Sequence, residues 1–539
     1  MLSLKLLRVM RPIGRPVQSA AALAVLFAAA GTADAAVCPS VVKPVAGSTY
    51  EVSVNSSTTV GKMPPEFFGF NVEWVEFQMS LWDAANQRVK PDAVEYLKAF
   101  PGAVYRYPGG TEANYFEWKN AIGDVASRKP QRAVTWTGPM VAKFGLVEYL
   151  NFVQSVKGQP WYVLNLYGSL AGERPAAEMA KEAGGVAAFF HQQALAGKPR
   201  MFRYELGNEL DRAPYMWRPE KYTSVAGAAL AAVSAADPGV PGAAISQDYD
   251  ASWQLYGITG AAYNRYVAQN LKPRTTEFVS HRYYDGPPWG PPVPHEIQQE
   301  CGSINALGLG LLTPPAMWIT EHAKTPESTP DDPNWQKNWP HTADLSAAIS
   351  ISDTLIAFAQ IPEVYGAFTH ALHATSGPWP MFHPNTTGGV VPSAVYWGMR
   401  MLREGMLDEV VATRTISANQ SGFAGGYDFR AAGFANLARN KFSVWMINRA
   451  KAPVRVKLTM PALAGYSIYS TASILSSSDP SINNYGGVSR ISPRKVGLKL
   501  VFDGAGTTYL DVPANAVMTV ALTKSTTTTT PTYKRTPTP

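Results

Sequence analysis

The chain has 539 residues, of which 46% are hydrophobic and 16% charged, a length that favours a large domain with a smaller companion. The formal net charge is +7, and loss of Lys5, Arg8, Arg11, Arg15 and Asp34 with the N-terminal segment described next leaves +4, too little to imply nucleic acid as a partner. With only Cys38 and Cys301, no thiolate metal cluster can be built, and neither a metal nor an organic cofactor is expected.

The four basic residues, an apolar run over 20–30 and then Ala33-Asp34-Ala35 have the order of an export signal over 1–35, so the expected location is secreted or periplasmic. No later stretch approaches the ~20 apolar residues of a membrane span. In an oxidising compartment Cys38 and Cys301 can pair; two free thiols are the alternative. Residues 36–60 hold a polar-alternating strand from Tyr50, and the same texture returns within 405–524 at Phe442, Val454, Lys499 and Ala516. Between these ends, over 61–404, short β-type runs alternate with helical stretches at 93–99, 146–156, 176–195 and 347–359.

Eight strands are predicted, at 67–72, 104–107, 162–166, 202–206, 243–246, 278–283, 317–320 and 364–370. Eight strands can close a barrel. The rival, a doubly wound sheet, lacks its Gly-rich turn after the first strand, while polar residues gather at many strand ends. The expected fold class is therefore α/β, a (β/α)8 TIM barrel with an accessory β-sandwich built from both chain ends. Residues 525–539, rich in Thr and Pro, cannot bury a core and read as a disordered tail.

Tyr204-Glu-Leu-Gly-Asn-Glu-Leu places Asn208 and Glu209 at the end of the fourth strand, where a carboxylic acid can protonate a departing oxygen. Met317-Trp-Ile-Thr-Glu-His is an apolar strand that ends on Glu321, which would point into the barrel mouth as an ionised nucleophile. Arg106, in Tyr105-Arg-Tyr-Pro-Gly-Gly, has the planar fork that fits a carboxylate, and His281 and Tyr283, in Ser280-His-Arg-Tyr-Tyr, offer further donors. These three are expected to support Glu321, while Glu209, with no cation anticipated beside it, is expected to hold its proton to higher pH.

Together these motifs resemble the clan A glycoside hydrolases, especially family 79 (heparanase and β-glucuronidases) and family 51 (α-L-arabinofuranosidases), over roughly residues 61–400. The resemblance implies a retaining glycosidase with a carbohydrate substrate, Glu209 as acid/base and Glu321 as nucleophile. Asn208 would bind the sugar 2-hydroxyl. A transglycosylase on the same site and a non-catalytic carbohydrate-binding barrel are the alternatives. Composition carries no signal for oligomeric state.

Further candidates for the substrate site are Glu73, Trp74, Asn114 and Trp289, together with Glu76, Tyr115, Trp118 and Trp253. Glu112 stands as a rival for a catalytic role. The segments at 285–315, 324–341 and 374–392 read as the loops that set specificity.

Overall fold

The computed structural model of the chain describes residues 49–134, 138–249, 257–329, 331–417 and 427–524; the expected export signal, Cys38, Trp253 and the Thr/Pro-rich tail lie outside them. Eight strands, β1 (Phe68–Asn71), β2 (Val104–Tyr107), β3 (Gln159–Val163), β4 (Arg203–Glu205), β5 (Gly242–Ile245), β6 (Glu277–Tyr284), β7 (Ala316–Lys324) and β8 (Val364–Thr369), form a closed barrel. Each pairs in parallel with its successor, and β8 closes on β1. Parallel neighbours require crossovers, and helices such as Ala176–Leu195, Pro219–Ala236 and Leu345–Phe358 supply them.

The barrel interior is sorted by polarity. Its floor is aromatic: Trp161 of β3 lies 5.4 Å from the Trp318 ring of β7 and 5.3 Å from the Phe368 ring of β8. Gly69 of β1 faces this floor, where a Cβ would stand 2.1 Å from the Phe368 ring, so only glycine fits. Burying one such ring stabilises the fold by roughly 3 kcal/mol. The polar side chains described below sit above this floor, at the C-terminal ends of the strands.

Three local expectations are corrected. The third strand begins at Gln159 and not at 162, because Lys157 and Gly158 turn the chain so that the Gln159 N–H already donates to the Ala103 carbonyl. The seventh strand does not end at Glu321 but runs to Lys324. The segment 285–315 is mostly the helix Val293–Leu311, with Pro294 in its first turn, where a missing N–H costs nothing. Gly310 in that helix marks close packing, since a Cβ there would lie 2.6 Å from Ala268 Cβ.

A second region is one hydrogen-bonded sheet of nine strands. In spatial order they are Arg494–Val501, Ser467–Ser476, Ala516–Thr523, Lys441–Asn448, Phe429–Ala435, Glu409–Ile416, Tyr50–Lys62, Val454–Thr459 and Thr507–Val512. The early strand Tyr50–Lys62 lies between two late ones, antiparallel to Glu409–Ile416 and parallel to Val454–Thr459. The sheet folds over a single apolar core: Val52, Met446, Leu458, Leu510 and Val520, from both halves, share it. The opposite face packs on the barrel, where Trp445 lies 4.1 Å from Phe434 and 6.2 Å from Phe68 of β1.

A buried ion-pair network joins the two regions. Asp353, on the helix Leu345–Phe358, meets Arg430 and Arg449 of the sheet, and Arg449 also reaches Asp285, 3.0 Å away in the segment after β6. Breaking one partner of such a buried set costs about 3–5 kcal/mol. Cys301, on the helix Val293–Leu311, is disulfide-bonded.

Candidate active site

β2, β4, β6 and β7 each bring charged or polar side chains to the barrel mouth. On β7 a register shift does the aiming: Ser280 pairs with Ile319, but His281 pairs with Glu321, leaving Thr320 as the extra residue. Alternation would send Thr320 and Glu321 to opposite faces, and the bulge lets both point inward. Thr320 Oγ1 accordingly lies 3.2 Å from His281 Nε2 and 3.4 Å from Glu205 Oε1.

Arg106 is the hub. Its guanidinium is wholly buried and donates from Nη1 to Glu321 Oε1 (2.7 Å), from Nη2 to Asn208 Oδ1 (2.7 Å), and from Nε and Nη2 to the two oxygens of Glu205 (2.8 and 2.7 Å). Glu205 also accepts from Trp161 Nε1 at 2.7 Å, so a buried carboxylate balances the guanidinium from beneath. The other oxygen of Glu321 accepts from the Tyr283 hydroxyl at 2.6 Å. Burial pushes the Glu321 pKa up, but the charges of His281, His370 and Arg106 and the Tyr283 hydrogen bond outweigh it and hold the carboxyl well below the ordinary range. Burial makes His370 lose its proton more readily than a free histidine, whereas the Arg106 guanidinium keeps its charge.

Glu209 is held differently. Its backbone is in the left-handed region (φ 50°), which a β-carbon disfavours, and the Asn114 amide clamps the residue before it. Asn114 Nδ2 donates to the Asn208 carbonyl (2.8 Å), and the Asn208 N–H donates to Asn114 Oδ1 (3.2 Å). The Glu209 side chain is 25% exposed, against 6% for Glu321. His281 Nδ1 donates to Glu209 Oε1 at 2.8 Å, and Arg212 Nη1 lies 3.6 Å from the same oxygen. Burial raises the Glu209 pKa, Arg212 and His281 lower it, the charge of Glu321 raises it again, and the balance falls below the ordinary value.

These contacts revise several sequence-based assignments. The hydrogen bond of His281 goes to Glu209, and its Nδ1 is 3.6 Å from Glu321. Glu209 has a cation beside it after all, because the turn after β4 carries Arg212 back over it. Arg106 contacts Glu321 as expected, whereas Asn114 is fully buried with its amide engaged by the Asn208 backbone and not turned to the mouth. Trp74 is buried against Phe116, 5.6 Å ring to ring, and offers no platform. Glu112 is buried, accepting from the Val134 N–H at 2.9 Å, and is no catalytic rival.

Other candidates stay at the mouth. Asn208 Nδ2 is buried with no hydrogen-bond partner among the described residues, a donor available to a ligand. The Glu73 pKa is raised well above its ordinary value by burial and by the charges of Glu76, Glu112 and Glu321, which favours the neutral, proton-donating acid. Its Oε1 accepts from the Gly110 N–H at 3.2 Å. Gly110 itself is pinned, for a Cβ there would lie 2.6 Å from Glu321 Oε1. Trp289, 39% exposed, stacks near Tyr283 (6.2 Å, 13° between planes) and Trp335 (5.8 Å), while Trp379 flanks Tyr283 at 5.5 Å and His370 at 5.1 Å. The rings thus extend outward from the tyrosine that binds Glu321.

Sequence reasoning assigned no role to Glu205, Thr320, Arg212, His370 or Trp379. Glu205 was legible in principle, since alternation along β4 sets it on the face opposite Tyr204, whose hydroxyl reaches Asp237 at the end of the helix Pro219–Ala236. Glu209, His281 and Glu321 each bring one ligand-type atom within 4.8 Å of the others, a grouping that could attract a cation. A divalent ion there would, however, face the Arg106 guanidinium, which already neutralises Glu321.

The fold has known counterparts. The family description "Alpha-L-arabinofuranosidase 1 domain" matches residues 96–208. An intracellular exo-α-(1→5)-L-arabinofuranosidase of Streptomyces lividans is 26% identical over 127 residues, 22% of this chain and 19% of that protein. A probable α-L-arabinofuranosidase C of Aspergillus flavus is 23% identical over 228 residues, 39% of this chain and 44% of that protein. The chain thus spans less than half the length of these curated relatives. Among solved structures, AbfB, a family 51 α-L-arabinofuranosidase of Bifidobacterium longum, superposes with TM-score 0.72 at 16% identity, covering 88% of this chain and 100% of that one. The α-L-arabinofuranosidase of Thermotoga maritima, in its arabinose complex, gives TM-score 0.70 at 14% identity with the same coverage. These enzymes share the barrel-and-sheet fold, and the chain resembles family 51 of the clan A glycoside hydrolases.

Proposed function

We propose that this chain is an exported glycosidase that releases α-L-arabinofuranosyl groups with retention of configuration, Glu321 acting as nucleophile and Glu209 as acid/base. The observation that carries this reading is the pairing of two carboxylates whose oxygens approach within 4.8 Å, one held ionised by Arg106 and Tyr283 and one partly open to solvent. Such closeness suits direct attack on the sugar, since carboxyl groups about 5–5.5 Å apart are typical of retention and about 6.5–9.5 Å of inversion. The sugar class comes from the relatives, all of which are named as arabinofuranosidases in the sequence comparison.

In the proposed first step, a Glu321 oxygen bonds to the anomeric carbon as the bond to the leaving oxygen breaks, and that oxygen keeps the electron pair and takes the Glu209 proton. The glycosyl ester then carries no charge at Glu321. Since that charge raises the Glu209 pKa, its loss makes Glu209 a weaker acid-holder and favours the carboxylate needed to deprotonate water in the second step. Asn208 Nδ2, a donor left unpartnered among the described residues, would donate to the sugar 2-hydroxyl throughout. Export is supported by the N-terminal segment and by the disulfide at Cys301, a bond favoured outside the cytoplasm. Among the described residues no helix is long and apolar enough to cross a membrane.

Methanolysis of an aryl α-L-arabinofuranoside followed by proton NMR tests the reading. The first-formed product is expected to be the methyl α-L-arabinofuranoside. The β anomer as first product would overturn retention, and no turnover of any arabinofuranoside would overturn the sugar assignment.

A further inference from the structure

Arg212 stands three residues after Glu209 in the turn that follows β4. The Arg212 N–H donates to the Glu209 carbonyl at 3.3 Å, and the N–H groups of Tyr215 and Met216 donate to the Arg212 carbonyl at 3.0 and 2.9 Å, so the turn folds this residue back over the carboxylate. The Arg212 side chain is only 14% exposed. Its Nη2 lies 3.2 Å from Asp211 Oδ2, its Nε donates to both Asp211 oxygens at 3.3 and 3.4 Å, and its Nη1 lies 3.6 Å from Glu209 Oε1. Asp211 is wholly buried and acts as a clamp.

The charged surroundings of Glu209 come from four strands. The turn after β4 supplies Arg212 and Asp211, and its Tyr215 hydroxyl also faces the carboxylate. After β5 comes Asp248, which faces Arg212 and is gripped by Arg282, itself anchored by Glu300 at 2.9 Å and Glu296 at 3.6 Å. β6 contributes His281 and Tyr283, and β7 contributes Glu321. Arg212 is the permanent cation that touches Glu209, set among carboxylates.

We propose that Arg212 is a positioning residue that fixes the upper pH limit of the reaction by holding its guanidinium against Glu209, with Asp211 and Asp248 keeping that guanidinium in place. The proposal rests on the reading of Glu209 as acid/base. Glycosylation of a poor leaving group needs Glu209 protonated, so a cation at 3.6 Å shifts that step toward acidic pH and favours the carboxylate that deglycosylation needs. Without Arg212, Glu209 would keep its His281 contact but would otherwise face the carboxylates of Asp211 and Glu321, and would keep its proton to higher pH.

The test is the pH profile of kcat/KM for wild type, Arg212→Met and Arg212→Lys on phenyl α-L-arabinofuranoside. Arg212→Met is expected to move the alkaline limb upward by about 1–3 pH units, the range for removal of an adjacent opposite charge. Arg212→Lys, which keeps the charge, is expected to stay near wild type. An alkaline limb that does not move in folded Arg212→Met overturns the proposal. Should that variant not fold, the infrared difference titration of wild type against Glu209→Gln decides: a Glu209 midpoint below the ordinary ~4.3 supports the proposal, and one at or above it overturns it. Failure of the parent reading looks different, because Glu209→Ala would then lower the rate equally for phenyl and dinitrophenyl leaving groups.

Discussion

Glu321 and Glu209 face the same mouth, yet the protein holds them by opposite means. Glu321 sits on a barrel strand with both oxygens occupied, one by Arg106 and one by Tyr283, and its side chain is 6% exposed. Glu209 sits on a turn in a left-handed conformation, is 25% exposed, and leans on His281 and Arg212. The difference fits the two tasks proposed for these residues. A nucleophile must be ionised and fixed within a fraction of an ångström, which strand-borne donors and a buried guanidinium provide. An acid/base must exchange its proton twice per turnover, which requires contact with solvent and a pKa set by neighbours whose charge changes during the cycle.

The largest effect is expected where the fixed side of this contrast is removed. Glu321→Gln should lower kcat by a factor on the order of 10^4 or more at every pH, measured on an aryl arabinofuranoside; retention of a tenth of the wild-type rate would remove Glu321 from the mechanism. Gly110→Ala keeps every functional group but sets a methyl 2.6 Å from Glu321 Oε1, and displacing the carboxylate should cost roughly 100-fold in kcat. A variant as active as wild type would show that Glu321 tolerates movement.

Arg106→Met sharpens the contrast through pH. The Glu321 pKa lies below the ordinary carboxylate range, so the ionised Glu321 survives into acid and is lost only as pH falls through that depressed value. Removing Arg106 should raise it and move the acidic limb of kcat/KM upward by about 1–3 units. A limb unchanged in position, with only weaker substrate binding, would make Arg106 a substrate ligand, which its complete burial argues against. The smallest effect belongs to the outer rings: Trp289→Ala should raise KM by roughly 2–10-fold, the value of one aromatic contact, with kcat little changed. A loss confined to kcat would place Trp289 in the support of Tyr283 and not in substrate contact.

Much of the fold was legible because barrel strands are short apolar runs bounded by turns and helices, a pattern that local sequence carries. The β7 bulge was not, since Trp318-Ile-Thr-Glu reads as simple alternation and the extra residue appears only in its pairing with β6. The two glutamates were legible as carboxylates that follow apolar runs, although β7 continues to Lys324 and β4 stops at Glu205. Their partners were less so: His281 lies within reach of both carboxylates, and which one it serves depends on side-chain geometry. Arg212 was invisible because its direction follows from the left-handed backbone at Glu209. Trp74 misled for the converse reason, as an aromatic next to a strand end that turns into a helix and is buried there.

The division of labour between the glutamates is tested most directly by azide. In Glu209→Ala, azide should restore turnover and give the arabinofuranosyl azide with the configuration of the substrate, because it enters from the side of the missing base after the ester on Glu321 has formed. In Glu321→Ala, azide should enter from the opposite side in a single displacement and give the inverted azide. Products of inverted configuration from Glu209→Ala, or of retained configuration from Glu321→Ala, would contradict the assignment of both residues.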